Sequence, residues 1–243
     1  MMQKTQTSPT SELTVMRWRR KTTLDWTPVL LRERLDALQR TITRTREQTA
    51  RNSTRMLGKL QRWQVAIKSI QSRLEAIDRN LRPALEDRLE VKIPDSEKLQ
   101  VAMFQPSTRN LFLELATQYQ GKRDDPIGTE GFDALVSLSD RAKALALLGD
   151  AAVSMAVVLR LWSPRTADVG DLTKRRSEVV SNSHMASVCD DWSLYEHRIH
   201  FDPGEPSREE MEHDKGTLVE SVYGIILIEH GFNQVMDSIT YLF

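Results

Sequence analysis

The sequence predicts an all-α protein, a basic helical arm over residues 27–92 followed by a helical domain over residues 93–243. Three observations predict it. Apolar residues recur at spacings of three and four through both halves, strand-like alternation is absent, and Gly and Pro gather in a few short breaks between the periodic stretches.

Residues 1–26 are rich in Thr, Ser and Gln without a clear period and read as a mobile polar tail. The arm follows. Asp25 or Thr27 ahead of Pro28 marks a helix start, because proline suits the first helical turn. Leu31, Leu35, Leu38 and Ile42 then form one stretch of a heptad seam, and Leu60, Trp63, Ile67, Ile70, Leu74, Ile77 and Leu81 form another. Thr45, Thr49 and Asn52 occupy the seam positions between them. Two readings follow: a helical hairpin turning between Thr41 and Ser53, or one long coiled-coil helix with a loose middle. The outer face is basic, with Arg32, Arg34, Arg40, Arg44, Arg46, Arg51, Arg55, Lys59, Arg62, Lys68, Arg73 and Arg79. Guanidinium forks bind phosphate oxygens in pairs, which makes Arg44, Arg51, Arg55 and Arg62 candidates for RNA binding. Docking onto the chain's own acidic second half explains the same charge equally well.

Lys92-Ile93-Pro94-Asp95-Ser96 breaks the pattern, with a restricted pre-proline residue and a capping Asp or Ser, and a domain boundary is expected there. Helices are then expected over 95–103, 107–120, 131–137, 139–162, 172–192 and 209–243, with loops at 121–131, 163–170 and 201–206.

Formal net charge is zero, but residues 1–92 hold 20 Lys and Arg against 10 Asp and Glu, and residues 93–243 hold 14 against 24. A basic front half suits a polyanion and an acidic back half suits cations. The single cysteine, Cys189, excludes an internal disulfide and fits a reducing, cytoplasmic compartment as a buried, inert thiol. No run of eighteen apolar residues occurs, so no membrane association is expected.

Two acids stand out. Asp150 interrupts the apolar run from Ala142 to Leu161, with Ala146, Leu147, Val153 and Ser154 one turn away, and is expected to face packed side chains. Glu220 is likewise the lone charge from Leu218 to Leu227. A buried carboxylate needs a cation, a strong donor or a proton, so two of them on two helices suggest one shared site.

The segments Ala102-Met103-Phe104-Gln105-Pro106-Ser107, Leu145 to Val153, Gly170 to Arg176, Val179-Val180-Ser181-Asn182 and Glu220-Ser221-Val222-Tyr223-Gly224 resemble, in order and spacing, the ribonuclease III endonuclease domain. The resemblance covers roughly Asp95 to Phe243. It implies an all-α fold that forms a homodimer across the helix carrying Leu148-Gly149-Asp150, with a valley for double-stranded RNA. No counterpart of the family's usual C-terminal double-stranded-RNA-binding domain is expected. The family site has four acids, two on each of two helices. Ala146 stands four residues before Asp150 where Glu is usual, and Thr217 stands three before Glu220 where Asp is usual. Mini ribonuclease III is similar at both places, with Ala and Thr, so the two losses are compatible with catalysis. Phe104-Gln105 also departs from the Thr-His usual in the first motif.

The resemblance implies Asp150 and Glu220 as catalytic residues and as ligands of Mg²⁺, with Mn²⁺ as a substitute. Mg²⁺ accepts oxygen ligands, keeps several waters, and binds through one or two carboxylates plus phosphate. Water would attack phosphorus in line, leaving 5′-phosphate and 3′-hydroxyl ends. Lys174, Arg175 and Arg176 are candidates for RNA phosphate contact, or a charged helix start. His197, His200 and His213 lack convincing zinc spacing, and neither a Gly-rich phosphate loop nor a Gly-x-Ser-x-Gly motif occurs, so no small-molecule cofactor is expected. Two functions remain: a metal-dependent endoribonuclease on double-stranded or structured RNA, or a decayed relative kept as an RNA-binding or ribonucleoprotein scaffold.

Overall fold

A computed structural model describes residues 26–163, 168–201, 204 and 206–243; the expected polar tail falls outside it except for Trp26. The arm is a hairpin. Helix α1 (Leu31–Gln48) and helix α2 (Thr54–Ala76) run antiparallel, tied by Arg32 to Asp78 near the root and by Gln64 to Thr43 and Arg46 further out. The seam residues Leu31, Leu35, Leu38, Ile42, Leu60, Trp63, Ile67, Ile70 and Leu74 are all buried. Towards the turn, Thr43, Thr45 and Thr49 each donate a hydroxyl bond to the carbonyl four residues back. Such back-bonding weakens a helix, which explains why α1 ends at this threonine-rich stretch.

The expected start near Pro28 is corrected: α1 begins at Leu31. Leu30 turns the chain in the left-handed region (φ 57), and the Glu97 carboxylate from the next segment accepts the Val29 and Leu31 amides. A long-range cap has replaced a local one. After α2 a π turn over Ile77–Leu81 leads into helix α3 (Arg82–Leu89). Pro83 has no amide to offer the carbonyl of Arg79, and the widened turn absorbs that missing bond.

Helices α4 (Ser96–Ala102), α5 (Thr108–Tyr119) and α6 (Gly128–Val136) lead to the central helix α7 (Leu138–Leu161). The helix expected over 172–192 is two, α8 (Val169–Val179) and α9 (Asn182–Asp191), because Ser181 leaves the helix and caps α9 through the His184 amide. The expected C-terminal helix is also divided. α10 (Arg208–His230) opens with a Ser207–Glu210 capping box and stops at Gly231 (φ 79), before α11 (Phe232–Ser238) and a final 3₁₀ turn. Among the described residues the only β pairing is one bridge between Phe104 and Ile199.

The core packs α7 against α10, with α9, α4 and α11 around them. One apolar cluster extends from Val29 to Leu242, so the core continues across residue 93. Trp63 of the arm donates to Glu114 of α5, and Tyr119 of α5 donates to Thr45 of the arm. Arg73 donates to the carbonyls of Glu196 and Arg198, and Arg88 to that of Asp191. Helix α7 is long and apolar enough to cross a membrane by composition alone; here its buried face forms the centre of the helical core.

Candidate active site

Helices α7 and α10 meet backbone to backbone at two glycines. A Cβ built on Gly149 would lie 1.7 Å from the Glu220 carbonyl oxygen, and one on Gly224 would lie 2.0 Å from the Leu145 carbonyl oxygen. No other residue fits at either place. Glycine costs a helix interior roughly 0.5–1 kcal/mol relative to alanine. The contact it permits sets Asp150 beside the crossing on one helix and Glu220 on the other.

The expectation that Asp150 faces packed side chains is corrected. It is exposed, while Gly149 takes the contact with α10. One residue further along a helix turns the side chain by about 100°. That rotation carries Asp150 to the open edge of the crossing, on the side where Leu147 is also exposed. Glu220 is half-buried. Burial first, and then the negative charge of Asp150, push the Glu220 carboxyl up to about 7. The structure thus brings the two acids into electrostatic contact, as the sequence suggests.

Two residues outside the acid pair complete the edge. Ser154, one turn after Asp150, donates a weak bond to it at 3.5 Å, and Arg176 of α8 donates to Ser154 Oγ at 3.0 Å. Arg176 is therefore placed to steady Asp150 through the Ser154 hydroxyl. Its neighbours differ: Lys174 is exposed, and Arg175 is exposed 4.0 Å from Asp171. The signal for Ser154 was its place one turn from an acid. Nothing in the sequence marked Arg176 apart from Lys174 and Arg175.

Beside Glu220 lies a cavity of about 280 Å³, lined among others by Gln105, Lys143, Ala146, His213 and Thr217. Ala146 and Thr217, the two positions where the ribonuclease III pattern has acids, both open onto it. Among the described residues no group of three or more His, Cys, Asp or Glu side chains could hold a metal. His197 instead bonds the Ser193 carbonyl through its ring. A closed zinc site does not fit this donor set. A hard cation does fit: two carboxylate ligands are enough for Mg²⁺, and a positive charge relieves the repulsion that raises Glu220.

The arm arginines separate by position. Arg32 and Arg73 are engaged at the root, whereas Arg44, Arg51, Arg55 and Arg62 are exposed near the turn. Cys189 is buried, and desolvation pushes its thiol up to about 12, as expected of an inert core cysteine.

Comparison with curated proteins and with solved structures gives no match. The family model of the ribonuclease III domain matches residues 143–231. That span includes Asp150, Lys174 to Arg176, Ser181-Asn182 and Glu220, and stops short of the Ala102 to Ser107 segment. The span holds both glycines of the helix crossing and both acids beside it, and over these residues the chain is similar to a ribonuclease III domain.

Proposed function

We propose that the protein is a metal-dependent endoribonuclease that cleaves double-stranded or structured RNA in RNA processing, acting as a homodimer. The observation that carries this reading is the placement of Asp150 and Glu220 beside the Gly149–Gly224 helix crossing, next to an open cavity and within the span similar to a ribonuclease III domain, where burial and Asp150 push the Glu220 carboxyl up. A structural acid has no reason to keep a repelling neighbour; a cation site has one. Asp150 and Glu220 would hold Mg²⁺, or Mn²⁺ in its place. When bound, the ion supplies a polarised water and charge neutralisation at the scissile phosphate. Ser154, backed by Arg176, orients Asp150, and the cavity beside Glu220 leaves room for solvent and for a phosphate oxygen.

The decayed-scaffold reading draws on the two-acid donor set, which has no third side chain among the described residues. One variant separates the readings. Ala146→Glu with Thr217→Asp adds the two acids into existing space, since both positions line the 280 Å³ cavity. The parent is expected to cleave long duplex RNA in Mg²⁺ without this help. A silent parent that the double variant revives shows a decayed enzyme.

Dimerisation is proposed through the outer face of α7. Leu147, Ala151, Met155, Leu159 and Trp162 recur at helical spacing on that face, with Leu147 70%, Met155 57% and Trp162 55% exposed. A stripe of large apolar side chains next to the acid pair marks an association surface. The alanines of α7 divide: Ala144 and Ala151 are exposed, while Ala146, Ala152 and Ala156 pack into the chain's own core. Sedimentation is expected to give twice the 27.9 kDa chain mass, and Leu147→Glu with Met155→Glu to give the single mass. A parent that sediments as a monomer at micromolar concentration overturns the dimer.

A further inference from the structure

The cations of the arm are sorted by position. At the root they are used, since Arg32 pairs with Asp78 and both Arg73 and Arg88 donate to backbone carbonyls of the 191–198 segment. At the tip they are not. Arg40, Arg44, Arg51, Arg55 and Arg62 are exposed, and among the described residues none of them makes an ion pair. Arg46 bonds only the neutral Gln64, and Lys59 lies over the Trp63 ring. Against these seven cations the same end of the arm offers Glu47, and the neighbouring Glu114 of α5 is engaged by the Trp63 indole.

Packing does not require this charge. Arg40 and Arg44, and Arg51 and Arg55, are spaced one helical turn or one tight turn apart, and like charges so placed repel. The arrangement is relieved by a polyanion. A groove of about 660 Å³ opens on this end, where amide and hydroxyl donors of Asn52, Ser53 and Thr54 stand among Arg55, Lys59 and Arg62, with the Glu114 carboxylate, already engaged by Trp63, as the one acid in its lining. Six of the seven cations are arginine, the side chain whose planar fork grips phosphate oxygens two at a time.

The tip also has a fixed relation to the candidate site. Helix α5 starts beside Gln105 and Pro106, which line the cavity next to Glu220, and ends at Tyr119, whose hydroxyl bonds Thr45 of the arm. Twelve helical residues at 1.5 Å each span about 18 Å. A duplex engaged at the site can therefore reach the tip only if it extends well beyond the scissile bond.

We infer that the arginine-rich tip of the arm, around the groove at Asn52 to Arg62, is a second RNA-binding surface that grips the phosphate backbone of a duplex away from the point of cleavage. The inference rests on the reading of this chain as an RNA-cleaving enzyme. It assigns the arm's two ends different tasks, docking at the root and substrate at the tip.

The test uses the full chain with Arg44→Gln, Arg51→Gln, Arg55→Gln and Arg62→Gln combined, and a matched set with Lys at the same positions. Duplex RNA binding is measured against salt. Each phosphate that the protein no longer neutralises takes about 0.9 off the slope of log affinity on log salt, so the Gln set is expected to lower the slope by about 2–4. The Lys set keeps the charges and is expected to retain the slope, which rules out a folding defect as the cause. Cleavage of a long duplex is expected to fall with the Gln set, while a duplex too short to reach the tip is cut as by the parent. A parent that binds and cuts while the Gln set keeps the parental slope overturns the inference alone, and leaves the tip to an acidic protein partner. A parent that neither binds nor cuts duplex RNA overturns the endonuclease reading as well.

Discussion

Glu220→Gln and Asp150→Asn are each expected to abolish duplex cleavage in Mg²⁺, and Glu220→Gln is expected at the same time to make the metal-free protein more stable above pH 7. Loss of activity follows because each change keeps the side chain's shape and removes a charge that holds the cation. Charge stabilisation by such an ion is worth several kcal/mol, a rate loss of about 10³-fold or more. The stability gain follows from linkage. The folded-state carboxyl of Glu220 sits at about 7 against an ordinary 4.5, with burial the larger cause and Asp150 the smaller. Below pH 4.5 both states are protonated there and the residue costs nothing. Between 4.5 and 7 the folded state holds more protons than the unfolded one, so stability falls as pH rises, and the cost is complete above 7. Allowing for solvent at this half-buried position, the cost removed by Gln is about 1–2 kcal/mol at pH 8 and vanishes at pH 4. Proton and cation compete for the same carboxylate, so metal affinity should weaken as pH drops below 7. Activity lost with stability gained marks a functional acid. Activity lost together with stability at pH 8 marks a structural one and sinks the assignment.

The sequence and the structure agree most where one physical signal acts alone. The arm's seam was legible because apolar residues at heptad spacing have few alternatives to burial, and all nine seam residues from Leu31 to Leu74 are buried. Helix ends were less legible. Glu97 starts α1 from more than sixty residues away, and no local pattern reveals a cap supplied by a distant helix. Ser181 and Gly231 divided two expected helices although the apolar period continues across both breaks. At the site, Asp150 and Glu220 stood out as charges in apolar runs, yet the inference from apolar neighbours to burial failed for Asp150. An apolar neighbour can itself lie on the surface, and Leu147 at 70% exposure is such a neighbour. Arg176 was one of three adjacent basic residues, and its singular role depends on how α8 packs beside α7.

The largest stability loss in the molecule is expected from a single methyl group. Gly149→Ala places Cβ 1.7 Å from the Glu220 carbonyl oxygen and 2.8 Å from the Gly224 amide nitrogen. Both are backbone atoms of a helix, so no rotamer change relieves the clash; α7 and α10 must move apart. Overpacking of this kind costs roughly 3 kcal/mol or more, at the upper end of what an inserted methyl does. Gly224→Ala meets the Leu145 carbonyl at 2.0 Å and should behave alike. The control is Gly58→Ala in the interior of α2, where nothing lies within 4 Å of the new Cβ. That change should stabilise by about 0.5–1 kcal/mol, since alanine has less backbone freedom to lose on folding. Urea unfolding of the three variants reads the contrast directly. Because the residue struck by the Gly149 methyl is Glu220 itself, separation of the helices also alters how the two acids face each other. Cleavage by whatever fraction of Gly149→Ala remains folded should therefore drop further than its folded population does. If Gly149→Ala unfolds at the same urea concentration as the parent, the two helices do not touch at these glycines, and the placement of Asp150 beside Glu220 falls with that contact.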